Sequence, residues 1–307
     1  MAHLWIAAAL LAALAQSIRH ASLKELNQHL SIAATTYARM LFGVPFLVLY
    51  LWGITEWTGG PLPHPNATFW MFIGFTAFTQ VLMTALMVRL FQLGNFAVGI
   101  MLTRADVILT ALIGTAFFSE VISWAGWGAI AITAAGVLTA SAGRMPPSAW
   151  KSGETGIGQL LMGPATRIGL AGALVAALSY LALRDAILAL DPASPAVVRS
   201  AYAATVMTFI SFVAGGLYLL VKERGAFVQI WRWRHIAVIV GLASALGSIG
   251  WFTASALTNA SYVAAVAQVQ IVFVMLISRY WFRESLRPLE LAGMTLIIVG
   301  VLSFRLA

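Results

Sequence analysis

An arginine and an aspartate stand two residues apart in the stretch LTRADVILT, residues 102–110, where every neighbour is apolar or a threonine. Arg104 carries a planar five-donor fork that suits bidentate contact with a carboxylate or a phosphate. Asp106 carries a carboxylate that binds an ammonium group or takes up a proton. A charge near the centre of a bilayer costs about 2.5–3.5 kcal/mol on insertion scales, so the pair must be compensated. If one continuous helix ran from 95 to 117, these side chains would point about 200° apart and could not face each other. Two readings follow. The pair lines a site for a charged ligand, with Asp106 the candidate for proton coupling, or each residue pairs with another helix and stabilises a bundle.

Other chemistry is thin. The chain has no cysteine, which excludes disulfides, thiolate catalysis and cysteine-based metal sites. The five histidines, 3, 20, 29, 64 and 235, are scattered and form no His-x-x-x-His pattern, so neither a metal nor another cofactor is expected. No glycine-rich phosphate loop and no Ser-His-Asp arrangement can be assembled, and the expectation is that the protein is not an enzyme.

The elements that must position Arg104 and Asp106 are set by composition. Of the 307 residues, 61% are hydrophobic and 9% are charged. A soluble domain carries about 25% charged residues, so most of this surface faces a lipid bilayer. The formal net charge of +8 is spread between apolar runs and sets topology rather than binding nucleic acid. A span needs roughly 20 apolar residues. Ten runs qualify, near 3–22, 30–53, 68–91, 95–117, 122–142, 168–190, 195–221, 235–257, 260–281 and 288–305. They are too long and too uniformly apolar for barrel strands, which alternate over about 10 residues. The expected class is therefore an all-α membrane protein. The opening MAHLWIAAALLAALAQ lacks a basic leader and reads as the first span rather than a cleaved signal. Trp5, Trp52, Trp57, Trp70, Trp124, Trp231, Trp233 and Trp281 fall near span ends, where indoles settle at the headgroups.

A linker rich in proline and glycine, residues 144–167, divides the chain into halves at 1–143 and 168–307. The halves repeat. LGNFAVGIMLTRADVILTALIGTAFFSEVISWAGWGAIAITAAGVL, residues 93–138, slides onto residues 257–302 with a shift of 164 and no gap. Asn95 meets Asn259, Glu120 meets Glu284, and Gly136-Val137-Leu138 meets Gly300-Val301-Leu302. Arg39 meets Arg199 when a short gap is allowed. Five spans per half is odd, so the second half enters the membrane upside down, as in many secondary transporters. The register places Gln268 at the position of Arg104 and Gln270 at that of Asp106. Gln80, near the middle of the third span, is a further candidate at that depth.

Lys and Arg concentrate at one set of loops. Arg19, Lys24, Arg89, Arg144, Lys151, Arg167, Lys222, Arg224, Arg232, Arg234, Arg279, Arg283 and Arg287 share a face, against Arg305, Arg184 and Arg199 near the other. The positive-inside rule assigns the rich face to the cytoplasm and both termini to the outside.

The segments FFSEVISWAGWGAIAITAAGVL and WFRESLRPLELAGMTLIIVGVL, with YARMLFGVPFLVLYL, resemble the drug/metabolite transporter superfamily, in particular ten-helix proteins built of two EamA-type repeats. The resemblance covers nearly the whole chain. It implies a carrier of small metabolites, often an exporter, without an ATPase domain. The expected location is the bacterial inner membrane, and since the sequence has no ATP-binding motif the expected energy source is a proton gradient or a counter-substrate. It places Arg39 at the family's usual basic position in the second helix. It also implies a proline midway along the fourth helix of each repeat, where this chain has LTRADVILT and VAQVQIVFV, and it implies cytoplasmic termini, against the charge distribution.

The expected cargo site is therefore Arg104, Asp106, Gln268, Gln270, Gln80 and Arg39. For the glutamines, links between helices are the alternative. For Arg39 the alternative is a stem reaching toward the interface. Arg19, His20, Lys24 and Glu25 at the end of the first span are read as cytoplasmic anchors, and Arg184-Asp185 as a candidate gate pair. Glu120 and Glu284 are read as acids stabilising the dipole of the next helix, with gating as the alternative. Gly241, Gly247 and Gly250 are read as positions where helices pack closely. Two other functions compete with the metabolite carrier: a flippase-like carrier of amphipathic or lipid-linked cargo, and a membrane scaffold or sensor that transports nothing.

Overall fold

The computed structural model describes residues 4–91, 103–144, 164–281 and 287–305, and every regular element among them is a helix. In chain order these are α1 (Leu4–Leu26), α2 (Ile32–Thr58), α3 (Ala67–Phe91), α4 (Asp106–Phe117), α5 (Trp124–Arg144), α6 (Pro164–Leu188), α7 (Ala196–Lys222), α8 (Ala226–Arg232), α9 (Arg234–Leu257), α10 (Ala260–Ala267), α11 (Val269–Trp281) and α12 (Pro288–Ser303). Seven candidate spans are long and apolar enough to cross a membrane, with α10 and the first turns of α11 counted as one. Three shorter apolar helices, Ala67–Met83, Asp106–Phe117 and Pro288–Ser303, stand where the third, fourth and tenth spans are expected.

Local chemistry sets the helix ends. Ser31 caps α2 by accepting the Ala34 N–H at 3.1 Å, and Gly59 ends it at φ 60°. Asn66 caps α3 by accepting the Phe69 N–H at 2.8 Å. Glu290 accepts the Arg287 N–H at 2.8 Å to open α12, behind Pro288 at the first helical position.

Two expectations of continuous helices fail. The fourth span is interrupted by a turn at Arg104-Ala105, and α4 begins at Asp106. The ninth is divided at Gln268 into α10 and α11. A short helix, α8, precedes α9 where the sequence signals only a loop.

The chain forms two compact units, Met1–Ala77 with Leu183–Thr258, and Phe78–Ala182 with Asn259–Ala307. Each takes helices from both sequence halves. In the first unit the core lies between α1, α2, α7, α8 and α9 and includes Leu26, Tyr37, Leu219, Ile230 and Val240. Tyr37 of α2 lies against Gly215 and Gly216 of α7, while Thr205 of α7 donates to the Leu47 carbonyl at 3.3 Å. As α2 ascends from 37 to 47, its partner descends from 215 to 205, so these two helices run antiparallel. Gly241 of α9 meets Phe42 and Gly43, and Gly250 meets Ala8 and Ala12 of α1, so these glycines do let backbones approach.

In the second unit α5 and α12 form the closest seam. A Cβ on Gly136 would come within 2.7 Å of the Ile297 nitrogen, and one on Gly300 within 2.8 Å of the Thr133 nitrogen. Positions 133 and 297 are repeat mates, as are 136 and 300. The contact 136–297 is therefore matched by 133–300, the reciprocal pattern of a two-fold interface. Repeat-matched helices meeting antiparallel, here and at α2–α7, are what inverted halves require.

Candidate functional site

The residues that matter most lie where two helices break within the second unit. Asp106 opens α4. Its carboxylate accepts the Val107 N–H at 2.9 Å, and its carbonyl accepts the Thr110 hydroxyl at 2.6 Å. An acid in a helix's first turn is stabilised by the dipole, and this one is only 7% exposed. Arg104 stands in the turn just before it, half-buried. The turn changes the expected geometry: side chains directed 200° apart on a continuous helix become residues that interact electrostatically across a helix start.

The other break lies at Gln268. This residue is 2% exposed, and its side-chain amide donates to the Ala264 carbonyl at 3.3 Å. Its side-chain oxygen accepts from Arg104 Nη1 at 3.4 Å. Arg104 and Gln268 are repeat mates, each at a break in its helix. A residue meets its own mate only beside the local two-fold axis, so this contact marks that axis.

The remaining expected residues divide. Gln270 is half-buried in the first turn of α11. Gln80, on α3, is exposed and donates to Ser179 Oγ of α6 at 3.5 Å. Arg39 belongs to the first unit, where it interacts electrostatically with Arg19. Glu284 lies outside the described residues. Arg184 Nε donates to the Thr258 carbonyl at 2.9 Å.

The sequence reading missed Tyr180. It lies on α6, half-buried, within electrostatic range of both Asp106 and Arg104. The available signal was the dipeptide Ser179-Tyr180 inside the otherwise apolar run LVAALSYLAL.

Glu120 takes a different partner from the one expected. It was assigned to the start of the following helix, α5, but its carboxylate faces α10. It accepts the Ala260 N–H at 2.5 Å, the Ser261 N–H at 3.2 Å and the Ser261 hydroxyl. Ser119 sits at φ 53° and turns the chain back, so that the Glu120 N–H reaches the Gly114 carbonyl at 3.0 Å. Gly114 leaves the space: a Cβ there would lie 2.7 Å from Glu120 Oε2. The short helix α10 is thus held at both ends, by Glu120 at its start and by the Gln268–Arg104 contact at its finish.

Residues 3–142 and 166–306 each match the sequence profile of the EamA-like transporter family. The chain belongs to this family. No curated protein matches this EamA-like chain in sequence. In structure it is similar to a protein solved by crystallography, with a TM-score of 0.66 at 11% identity, covering 98% of this chain and 96% of the other. At that identity the likeness shows the fold alone. An EamA-like protein is a multi-pass membrane protein of a transporter family, and its helices fit that membership. The breaks at Arg104 and Gln268 fall one in each matched stretch.

Proposed function

We propose that the protein is a secondary active transporter that exports a small polar or charged metabolite across the bacterial inner membrane by alternating access. Its two repeats, 1–143 and 168–307, joined by 144–167, would rock about the cargo. The observation that carries this reading is the contact between Arg104 and Gln268 at 3.4 Å, two repeat-matched polar residues at two helix breaks. Broken helices expose polar backbone and helix ends at the depth where secondary transporters bind cargo.

In this reading Arg104 receives the anionic group of the cargo, and Gln268 holds the guanidinium in place between cycles. Asp106 binds a cargo ammonium group or takes up the coupling proton, with Tyr180 beside it. Gln270 and Gln80 complete the polar surroundings. Energy comes from a proton or counter-substrate gradient.

The test compares metabolites released by cells overproducing the protein with those released by cells producing Arg104→Ala at equal membrane abundance. One charge-assisted hydrogen bond is worth about 1.5–3 kcal/mol. Its loss weakens cargo binding by about 10- to 150-fold. The variant should therefore release the cargo at background rate, and release at the wild-type rate removes Arg104 from the site. With the cargo in hand, Asp106→Asn in vesicles should transport without dependence on a pH gradient. Gradient-driven transport retained at full strength rejects coupling through Asp106.

A further inference from the structure

Two arginines in the first unit are not absorbed by the proposed cargo site. Arg19 lies two turns before the end of α1, and Arg39 lies two turns after the start of α2. At 1.5 Å per residue each guanidinium is rooted about 10 Å from the connection between these helices. Both are half-buried, and they interact with each other as like charges. Among the described residues no carboxylate pairs with either. Arg19 Nη2 reaches the Gln16 side-chain oxygen at 3.2 Å and His20 Nε2 at 3.0 Å, both neutral acceptors. Its Nε is buried without an acceptor.

A third group points the same way. Thr35 is one turn before Arg39 on the same face of α2, is 2% exposed, and its hydroxyl has no hydrogen-bond partner. Ser17, Thr36 and Thr55 satisfy their hydroxyls at the carbonyl four residues back, at 2.8, 2.8 and 2.7 Å. Thr35 does not. Two like charges within electrostatic reach of each other, one with an orphaned donor and the other one turn from an orphaned hydroxyl on α2, form an expensive arrangement unless an anion completes it.

We propose that Arg19 and Arg39, with Thr35, form a binding site within the first unit for an oxyanion of the phosphate class. The anion bridges the two guanidiniums, supplies the acceptor missing at Arg19 Nε and accepts the Thr35 hydroxyl. Its source is either the phosphate of an anionic lipid headgroup or a soluble phosphate. The site lies toward the helix ends that carry the concentrated Lys and Arg, where anionic headgroups gather.

The test uses the full-length protein and two probes. In detergent, inorganic phosphate is titrated and followed by the shift in melting temperature. In nanodiscs, melting is compared between phosphatidylcholine alone and phosphatidylcholine with phosphatidylglycerol. Wild type should melt higher with at least one probe. A response to inorganic phosphate identifies a soluble anion, and a response only to phosphatidylglycerol identifies a lipid. Arg19→Gln/Arg39→Gln should abolish the shift or raise the phosphate Kd at least about tenfold. The exposed pair Arg224→Gln/Arg232→Gln removes the same charge and should keep the shift. Arg19→Lys/Arg39→Lys keeps the charge and should bind more weakly than wild type, which gives a reading even if the glutamine variant fails to fold. The proposal is overturned if wild type responds to neither probe, if the Arg19/Arg39 variants respond like wild type, or if the surface pair loses the shift equally.

Discussion

At Glu120 one carboxylate satisfies three donors at the start of α10, and it does so 5% exposed. Removing it leaves the two buried backbone N–H groups of Ala260 and Ser261 without an acceptor, while the Ser261 hydroxyl keeps the Thr110 carbonyl at 3.2 Å. Each unsatisfied buried group costs about 1–3 kcal/mol, partly relieved by water. Glu120→Ala should therefore lower stability in detergent by about 3 kcal/mol, with Glu120→Gln intermediate because its amide retains one acceptor oxygen. Thermal melting of the purified variants checks this, and an unchanged melting temperature for Glu120→Ala would remove the carboxylate from any structural role. The sequence showed that Glu120 mattered through its repeat mate, but not which helix it caps. Chain proximity favoured α5. The true partner lies 140 residues on, selected by the left-handed Ser119 and the space at Gly114, neither of which has a periodic signature. Arg104 and Asp106, by contrast, were legible at once, since charges in an apolar run carry their cost wherever the helix goes.

Elements follow the same division between what a pattern carries and what contacts decide. Apolar length alone located the spans, because a bilayer demands it. The turns at Arg104-Ala105 and at Gln268 were not legible. Breaks are normally announced by proline or glycine, and neither LTRADVILT nor VAQVQIVFV contains one. The repeat register did equate the two positions, so the sequence matched two breaks without showing that they were breaks. Glycines divide by their neighbours. A Cβ on Gly293 would collide with the backbone nitrogen of Ala140, which no rotamer can relieve, whereas one on Gly74 of α3 would meet nothing within 4 Å. Glycine is about 0.5–1 kcal/mol worse than alanine inside a helix. Gly74→Ala should therefore be neutral or raise the melting temperature, while Gly293→Ala should lower it by forcing α5 and α12 apart, a change typically worth about 1–3 kcal/mol. Equal melting of the two variants would mean that the α5–α12 seam is not closely packed in the membrane.

For the whole molecule, the distribution of basic residues bears on which way up it sits. The connections 59–66, 118–123, 189–195 and 258–259 contain no Lys or Arg. The ends of α1, α7, α8 and α11, and the starts of α6, α9 and α12, carry Arg19, Lys222, Arg232, Arg279, Arg167, Arg234 and Arg287. Arg184, one of the few arginines near the poor face, donates to the Thr258 carbonyl at 2.9 Å. Basic residues flanking short loops resist translocation, so the rich face should be cytoplasmic. Both termini lie on the opposite face if ten spans are crossed, since an even number returns the chain to the side from which it started. This outcome departs from the cytoplasmic termini implied by the family resemblance. It also follows from the inverted repeat: with five spans per half, equivalent loops of the two halves fall on opposite faces, so one sequence pattern must be basic in one copy and bare in the other. The bare connection 118–123 and the basic stretch at 282–287 are such a pair under the shift of 164. A phosphatase reporter that is active only outside the cytoplasm, fused after Ala307, should be active, and a fluorescent reporter that matures only in the cytoplasm should stay dark at the same position. The reverse result would mean that one span has been miscounted or that charge does not set the orientation of this chain. Replacing Arg279 and Arg287 with glutamine should then leave the fusion unchanged instead of mixing its orientation.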